Sequence, residues 1–113
     1  MYVLFIVLNQ VDYLDEILLG FVEAGVGGAT IIDSQGMAGA MVENQTATPF
    51  MGLLKNFLDD CKPYNKTIFT VLESETVLED AVQIVKDVLG DAAKAGAGFM
   101  FSVPIGRVYK FDE

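Results

Sequence analysis

Apolar residues run without a break from Tyr2 to Leu8, which suits a central strand covered on both faces. Asn9-Gln10-Val11-Asp12 breaks the run, and from Leu14 the apolar positions recur at Leu14, Ile17, Leu18, Phe21 and Val22. These spacings lay one stripe along an amphipathic helix. Asp12 is the expected N-cap, Asp15 and Glu16 fall in a first turn that favours carboxylates, and Gly25 stands where a left-handed C-terminal cap belongs. Ala29 to Asp33 is a second predicted strand. Gly36 and Gly39 open a stretch to Thr48 that reads as a long loop. Thr48-Pro49 then pairs an N-cap with proline at the first helical position. Phe50, Leu53, Leu54, Phe57 and Leu58 repeat the helical stripe, predicting a helix over Pro49 to Asp60, ended by Lys62-Pro63-Tyr64-Asn65.

Thr67 to Leu72 predicts a third strand, and Thr76-Val77-Leu78-Glu79 fits a capping box. Leu78, Ala81, Val82, Val85, Val88 and Leu89 form the next helical stripe. Gly90 to Ala97 is a loop of small residues, Phe99 to Val103 a fourth strand interrupted by Pro104, and Val108 to Phe111 a short terminal strand. The order is β-α-β, an insertion over about residues 36–65, then β-α-β. Two right-handed crossovers in succession give an α+β, ferredoxin-like βαββαβ fold, an antiparallel sheet with both main helices on one face. The other face carries alternate residues of four strands, many of them apolar, and a second copy of the chain is the simplest cover for it.

Composition narrows the function. The 113 residues suit one domain spanning 1–113. Seven Lys+Arg against sixteen Asp+Glu give a net charge of −9, which repels a phosphate backbone and argues against nucleic acid. The Tyr2–Leu8 run is far too short for a membrane span and lacks the flanks of a signal peptide. Cys61 is the sole cysteine, so no intrachain disulfide forms, and a reducing, cytoplasmic setting is expected. There is no histidine. Ser-His-Asp and Cys-His nucleophile systems are therefore excluded, and zinc loses its commonest ligand.

The candidate chemistry has bland alternatives. Gly96 and Gly98 either present backbone N–H groups to an anion or only permit a tight turn into a strand. No Gly-Lys-Ser/Thr sequence is present, so a P-loop is excluded. Thr30 is either a ligand contact or a β-branched strand residue. Asp59-Asp60 and Asp33 are metal candidates only in principle, since such carboxylates are more often solvated. No metal site and no catalytic residue is expected. Cys61 has only Lys62 as a cationic neighbour in sequence, which favours an unreactive thiol.

Three stretches carry a resemblance. Asp15-Glu16-Ile17-Leu18 with Glu23-Ala24-Gly25-Val26-Gly27-Gly28-Ala29-Thr30, Gly36, and Gly96-Ala97-Gly98-Phe99-Met100-Phe101-Ser102-Val103-Pro104-Ile105 are similar in order and spacing to the P-II signalling family. The stretches correspond to its first helix and following turn, the start of its long T-loop, and its glycine-rich segment with the last long strand. The resemblance implies a homotrimer of ferredoxin-like subunits, nucleotide sites in the clefts between subunits, and a T-loop that docks on an enzyme, transporter or transcription regulator. It places Thr30 near an adenine and Gly36 at the start of the T-loop. Beside these in the candidate ligand cleft, Gly96 and Gly98 could bring backbone N–H groups to an anion, and Lys94 and Lys110, with Arg107 as a neighbour, could supply positive charge.

The departures matter as much. The family's Gly-Asp-Gly-Lys is Gly96-Ala97-Gly98-Phe99 here, so phenylalanine stands in place of the phosphate-facing lysine, and its preceding Thr-Gly is Ala92-Ala93. The family's T-loop glutamine falls at Ala40, and no tyrosine lies between Gly36 and Cys61. The expected function is a P-II-like regulatory trimer whose candidate ligand is an adenine nucleotide. Phe50, Leu53, Leu54 and Phe57 are its expected partner-binding or core-capping stripe. The alternative is a trimeric interaction scaffold that has lost ligand binding, and a carboxylate enzyme on the same fold ranks third.

Overall fold

The computed structural model describes residues 1–43, 64–90 and 96–111. It is a mixed α+β arrangement. Strand β1 (Tyr2–Leu8) leads through a short 3-10 turn, Val11–Tyr13, into helix α1 (Leu14–Glu23) and strand β2 (Thr30–Gln35). Helix α2 (Met37–Glu43), strand β3 (Tyr64–Leu72), helix α3 (Glu75–Leu89) and strand β4 (Gly98–Pro104) follow. The four strands form one antiparallel sheet in the order β2-β3-β1-β4. β1 is central, with Leu4 opposite Thr70 on one side and Ser102 on the other.

Alternation along the two central strands divides the sheet into two faces. Leu4, Ile6 and Leu8 of β1 and Ile68 and Leu72 of β3 are buried with Ile17 and Phe21 of α1 and Leu78, Ala81 and Val85 of α3. Burying each large apolar side chain contributes about 1.5–3 kcal/mol. Gly20 lets the helices meet closely, because a Cβ there would lie 2.6 Å from Ile84 Cγ2. The other face carries Val3, Phe5, Val7, Phe69, Val71, Phe99, Phe101 and Val103, placed by the same register. Phe5 stacks on Phe101 with ring centroids 5.0 Å apart and also approaches Phe69 at 5.9 Å. This aromatic face is open, with Phe99 63% and Phe101 47% exposed.

Several local expectations need correction. Asp12 lies inside the 3-10 turn, and Tyr13 occupies the N-cap of α1 without a side-chain cap. α3 begins earlier than the Thr76 capping box predicts, because Ser74 is its N-cap and accepts from the Val77 N–H at 3.2 Å. Residues 37–43, read as loop from their glycines, are helical. Met37, Ala40 and Met41 favour a helix enough to carry Gly39, and Gly36 precedes it, its carbonyl accepting from Ala40 N–H at 2.9 Å. Tyr64 and Asn65 belong to β3, so the segment between β2 and β3 is shorter than 36–65. Val108 to Phe111 form no strand. The helix expected over Pro49 to Asp60 lies outside the described residues.

The α1 terminus follows the expectation. Gly25 has φ +81°, its N–H donates to Val22 O at 3.2 Å, and the Val26 N–H donates to Phe21 O at 2.9 Å. This is the paired bonding of a Schellman motif, and it turns the chain from α1 toward β2. Among the described residues, no helix is long and apolar enough to cross a membrane.

Candidate functional site

Clefts lie at both ends of β2. The first, about 470 Å³, lies where the chain leaves the Schellman turn and enters the strand, and Thr30 and Lys110 both line it. Its floor is the end of β3, Phe69 to Leu72, and Glu73 sits at its edge. The buried Thr70 hydroxyl donates to Gly28 O at 2.5 Å and so fixes the glycine loop against β3. A Cβ built on Gly27 or Gly28 would meet nothing within 4 Å. Neither has the positive φ that requires glycine, so side chains at these positions would take up space beside the cleft that glycine leaves open. Lys110 comes from the irregular tail after β4, which therefore contributes to the cleft without forming the predicted strand.

The second cleft, about 430 Å³, lies at the far end of β2 on the aromatic face. Gly36, Val7, Asn9, Ser34, Asn65 and Phe99 are among its lining residues. A chain of uncharged polar groups crosses it. Ser34 Oγ donates to Asn65 Oδ1 and contacts Thr67 Oγ1 at 2.7 Å. With the one Ser34 proton directed to Asn65, the Thr67 hydroxyl is the donor in the second contact. Asn65 Nδ2 donates to Asn9 Oδ1 at 3.1 Å, and Asn9 Nδ2 donates to Gly96 O at 3.0 Å. The Asn9 backbone N–H adds a bond to Ala97 O at 2.9 Å. Asn65 is only 8% exposed, and among the described residues no buried side-chain polar atom lacks a partner.

The predicted ligand residues are therefore divided. Thr30 and Lys110 share the first cleft, while Gly36 lines the second and Gly96 is tied to it through Asn9. Thr30 and Gly36 are six residues apart along an extended segment, roughly 20 Å. Gly98 has φ +139° and pairs with Leu8, and a Cβ there would fall 2.1 Å from Val7 O. The steric reading of this glycine thus has a definite cause, the close approach of β4 to β1. Lys94 and the Phe50, Leu53, Leu54, Phe57 stripe lie outside the described residues, as do Asp59, Asp60 and Cys61. Asp33 is engaged in an ion pair with Lys66 across the β2–β3 ladder. Among the described residues, no group of three or more acidic or cysteine side chains is placed to hold a metal ion.

Sequence reasoning passed over Asn9, Ser34, Asn65 and Thr67. One signal was present: Thr67 and Asn65 are polar residues on the face that Phe69 and Val71 make apolar. In comparison with known proteins, no family model matches the chain and no curated protein matches it in sequence.

Proposed function

We propose that the chain is a P-II-like regulatory subunit that assembles as a homotrimer, binds a small ligand at subunit interfaces and relays occupancy to a target protein through the segment after Gly36. An adenine nucleotide is the candidate ligand, an enzyme or transporter the candidate target, and the cytoplasm the expected setting. The strand order β2-β3-β1-β4, antiparallel throughout with α1 and α3 packed on one face, supports the ferredoxin-like assignment. The division of the candidate residues between the two ends of β2 is the observation that carries the reading. One small ligand does not reach both Thr30 and Gly36 within a subunit. A closed ring of heterologous contacts would set the Thr30 end of one copy beside the Gly36 end of the next. The open Phe5-Phe69-Phe101-Phe99 face supplies the apolar area that such an assembly would remove from water, at about 25 cal/mol per Å².

Light scattering tests the assembly first. The expected mass is about 37 kDa, three times the 12.3 kDa chain, and a monodisperse monomer would remove both the trimer and any interfacial site.

The ligand is tested separately. Phe99 lines the second cleft where the family resemblance calls for a lysine, and a charge-assisted phosphate contact is worth roughly 1.5–3 kcal/mol. ATP is expected to lose about one to two decades of affinity, adenosine less. Titration calorimetry with ATP, AMP and adenosine measures this, and tight magnesium-dependent ATP binding would contradict it. The same phenylalanine favours the alternative, a trimeric scaffold without a ligand, for which none of the three compounds binds. Both readings assign the protein to binding and signalling rather than catalysis.

A further inference from the structure

The helical layer holds a groove that neither the sheet face nor the two clefts involve. It runs between α1 and α3 and measures about 320 Å³. Leu19, Ile84 and Val88 give it an apolar floor, and Glu16, Glu23 and Asp87 form its rim. Gly20 keeps the floor low, because Ile84 lies over the space a side chain would fill. Leu19 is 62% exposed at the groove, and Val22, outside it on the same helix, is 72% exposed, while Ile17 and Phe21 supply the buried side of α1. The two helices together carry seven carboxylates, Asp15, Glu16, Glu23, Glu75, Glu79, Asp80 and Asp87, and one cation, Lys86. Asp87 is held by Gln83 Nε2 at 2.9 Å, which fixes one side of the rim.

We infer that this groove docks a basic amphipathic helix of a partner protein. The apolar floor selects an apolar side chain, and the carboxylate rim selects cations on either side of it. Glu16 and Glu23 stand two helical turns apart, roughly 10 Å. A helix with Arg or Lys at positions i and i+7 and leucine between them presents the complementary row. A second copy of this chain is a poor occupant, since it would bring the same carboxylates against themselves, and a nucleic acid is repelled for the same reason. The inference does not rest on the ligand reading above, and either stands if the other fails.

The test uses the full chain and a fluorescein-labelled helical peptide of about 15 residues with Arg at i and i+7 and Leu at i+3 and i+4. A peptide of identical composition, with Arg and Leu placed on opposite faces, is the control. Fluorescence anisotropy should show the patterned peptide binding at least about tenfold tighter than the control, with affinity falling as salt rises from about 50 to 300 mM. Glu16→Gln with Glu23→Gln should weaken binding about tenfold and flatten the salt dependence. Leu19→Ala should weaken it and leave the salt dependence. Glu79→Gln, outside the groove, should leave binding unchanged. All these side chains are exposed, and far-UV circular dichroism checks that each variant is folded. Equal binding of the two peptides, no effect of the groove substitutions, or a Glu79→Gln loss as large as that of the rim pair would overturn the inference. So would concentration-dependent self-association that Leu19→Ala abolishes, which would give the groove to a second copy.

Discussion

Gly98→Ala is expected to destabilise the fold by about 2–5 kcal/mol, from backbone strain of roughly 1–3 kcal/mol and overpacking of a similar size. The backbone at 98 has φ +139°, and the new methyl would lie 2.1 Å from the Val7 carbonyl oxygen and 3.3 Å from Leu8 Cα. Both are backbone atoms of the central strand, so no side chain can rotate away. β4 would have to move from β1, losing ladder bonds in the Leu8–Gly98 register. Against a total stability of about 5–15 kcal/mol, much of the folded population is at stake. Gly106→Ala is the control, since a Cβ there meets nothing within 4 Å and its effect should stay within about 0.5 kcal/mol. Urea unfolding followed by circular dichroism measures both. An unchanged midpoint for Gly98→Ala would show that this strand pairing does not require glycine. The outcome also bears on ligand binding, because weaker binding by this variant cannot be assigned to a lost anion contact until its folding has been measured.

The parts of the fold that repeat locally were legible. Continuous apolar runs gave β1, and alternate burial in β3 follows from Ile68, Thr70 and Leu72 facing the helices. The stripe of Leu78, Ala81 and Val85 needs only helical periodicity. Where two local signals compete, the sequence reads less well. Gly36 and Gly39 suggest a loop, yet the Met and Ala residues around them carry α2. Ser74 and Thr76 both offer a capping oxygen, and the chain uses Ser74 because α3 starts at Glu75.

The candidate site was legible one residue at a time and not as an arrangement. Thr30 and Lys110 are 80 positions apart and meet because the tail after β4 reaches the start of β2. The Asn9-Asn65-Ser34-Thr67 chain depends on a register in which Ser34 stands opposite Asn65, and Val7 opposite Thr67. Periodicity assigns a residue to a face but does not say which strand lies beside it or in what register. That information enters only through long-range pairing.

The second large effect concerns that chain of amides and hydroxyls. Asn65→Leu should cost about 2–4 kcal/mol, because it strands the Ser34 hydroxyl and Asn9 Oδ1 facing a buried apolar group, at roughly 1–3 kcal/mol for each unpaired group. Some of this is recovered, since Ser34 Oγ can turn to the Asn65 carbonyl at 3.4 Å and keeps Thr67. Asn65→Asp is the sharper probe. Ionised, its carboxylate can still accept from Ser34 but has no donor to face Asn9 Oδ1; protonated, its one O–H can take the place of the Asn65 amide donor. Asn9 cannot flip to offer its amide instead without releasing Gly96 O, and with it one of the bonds that fix the turn into β4. A carboxylate introduced at so buried a position is disfavoured when charged, so its folded pKa rises above the unfolded value of about 3.9. The sign follows by linkage: the ionic part of the penalty is absent below about pH 4 and grows as pH rises, until the group ionises in the folded state as well. The protonated acid keeps bonds that leucine cannot make, so Asn65→Asp should be more stable than Asn65→Leu near pH 4 and lose that advantage by pH 7. Urea midpoints at the two pH values decide this. A double-mutant cycle adding Asn9→Leu should show coupling of about 0.5–3 kcal/mol. Strict additivity of the two substitutions would show that Asn9 and Asn65 act independently and that β2 and the turn into β4 are not joined through them, whereas an Asn65→Asp midpoint that does not move with pH relative to Asn65→Leu would show that position 65 is open to water.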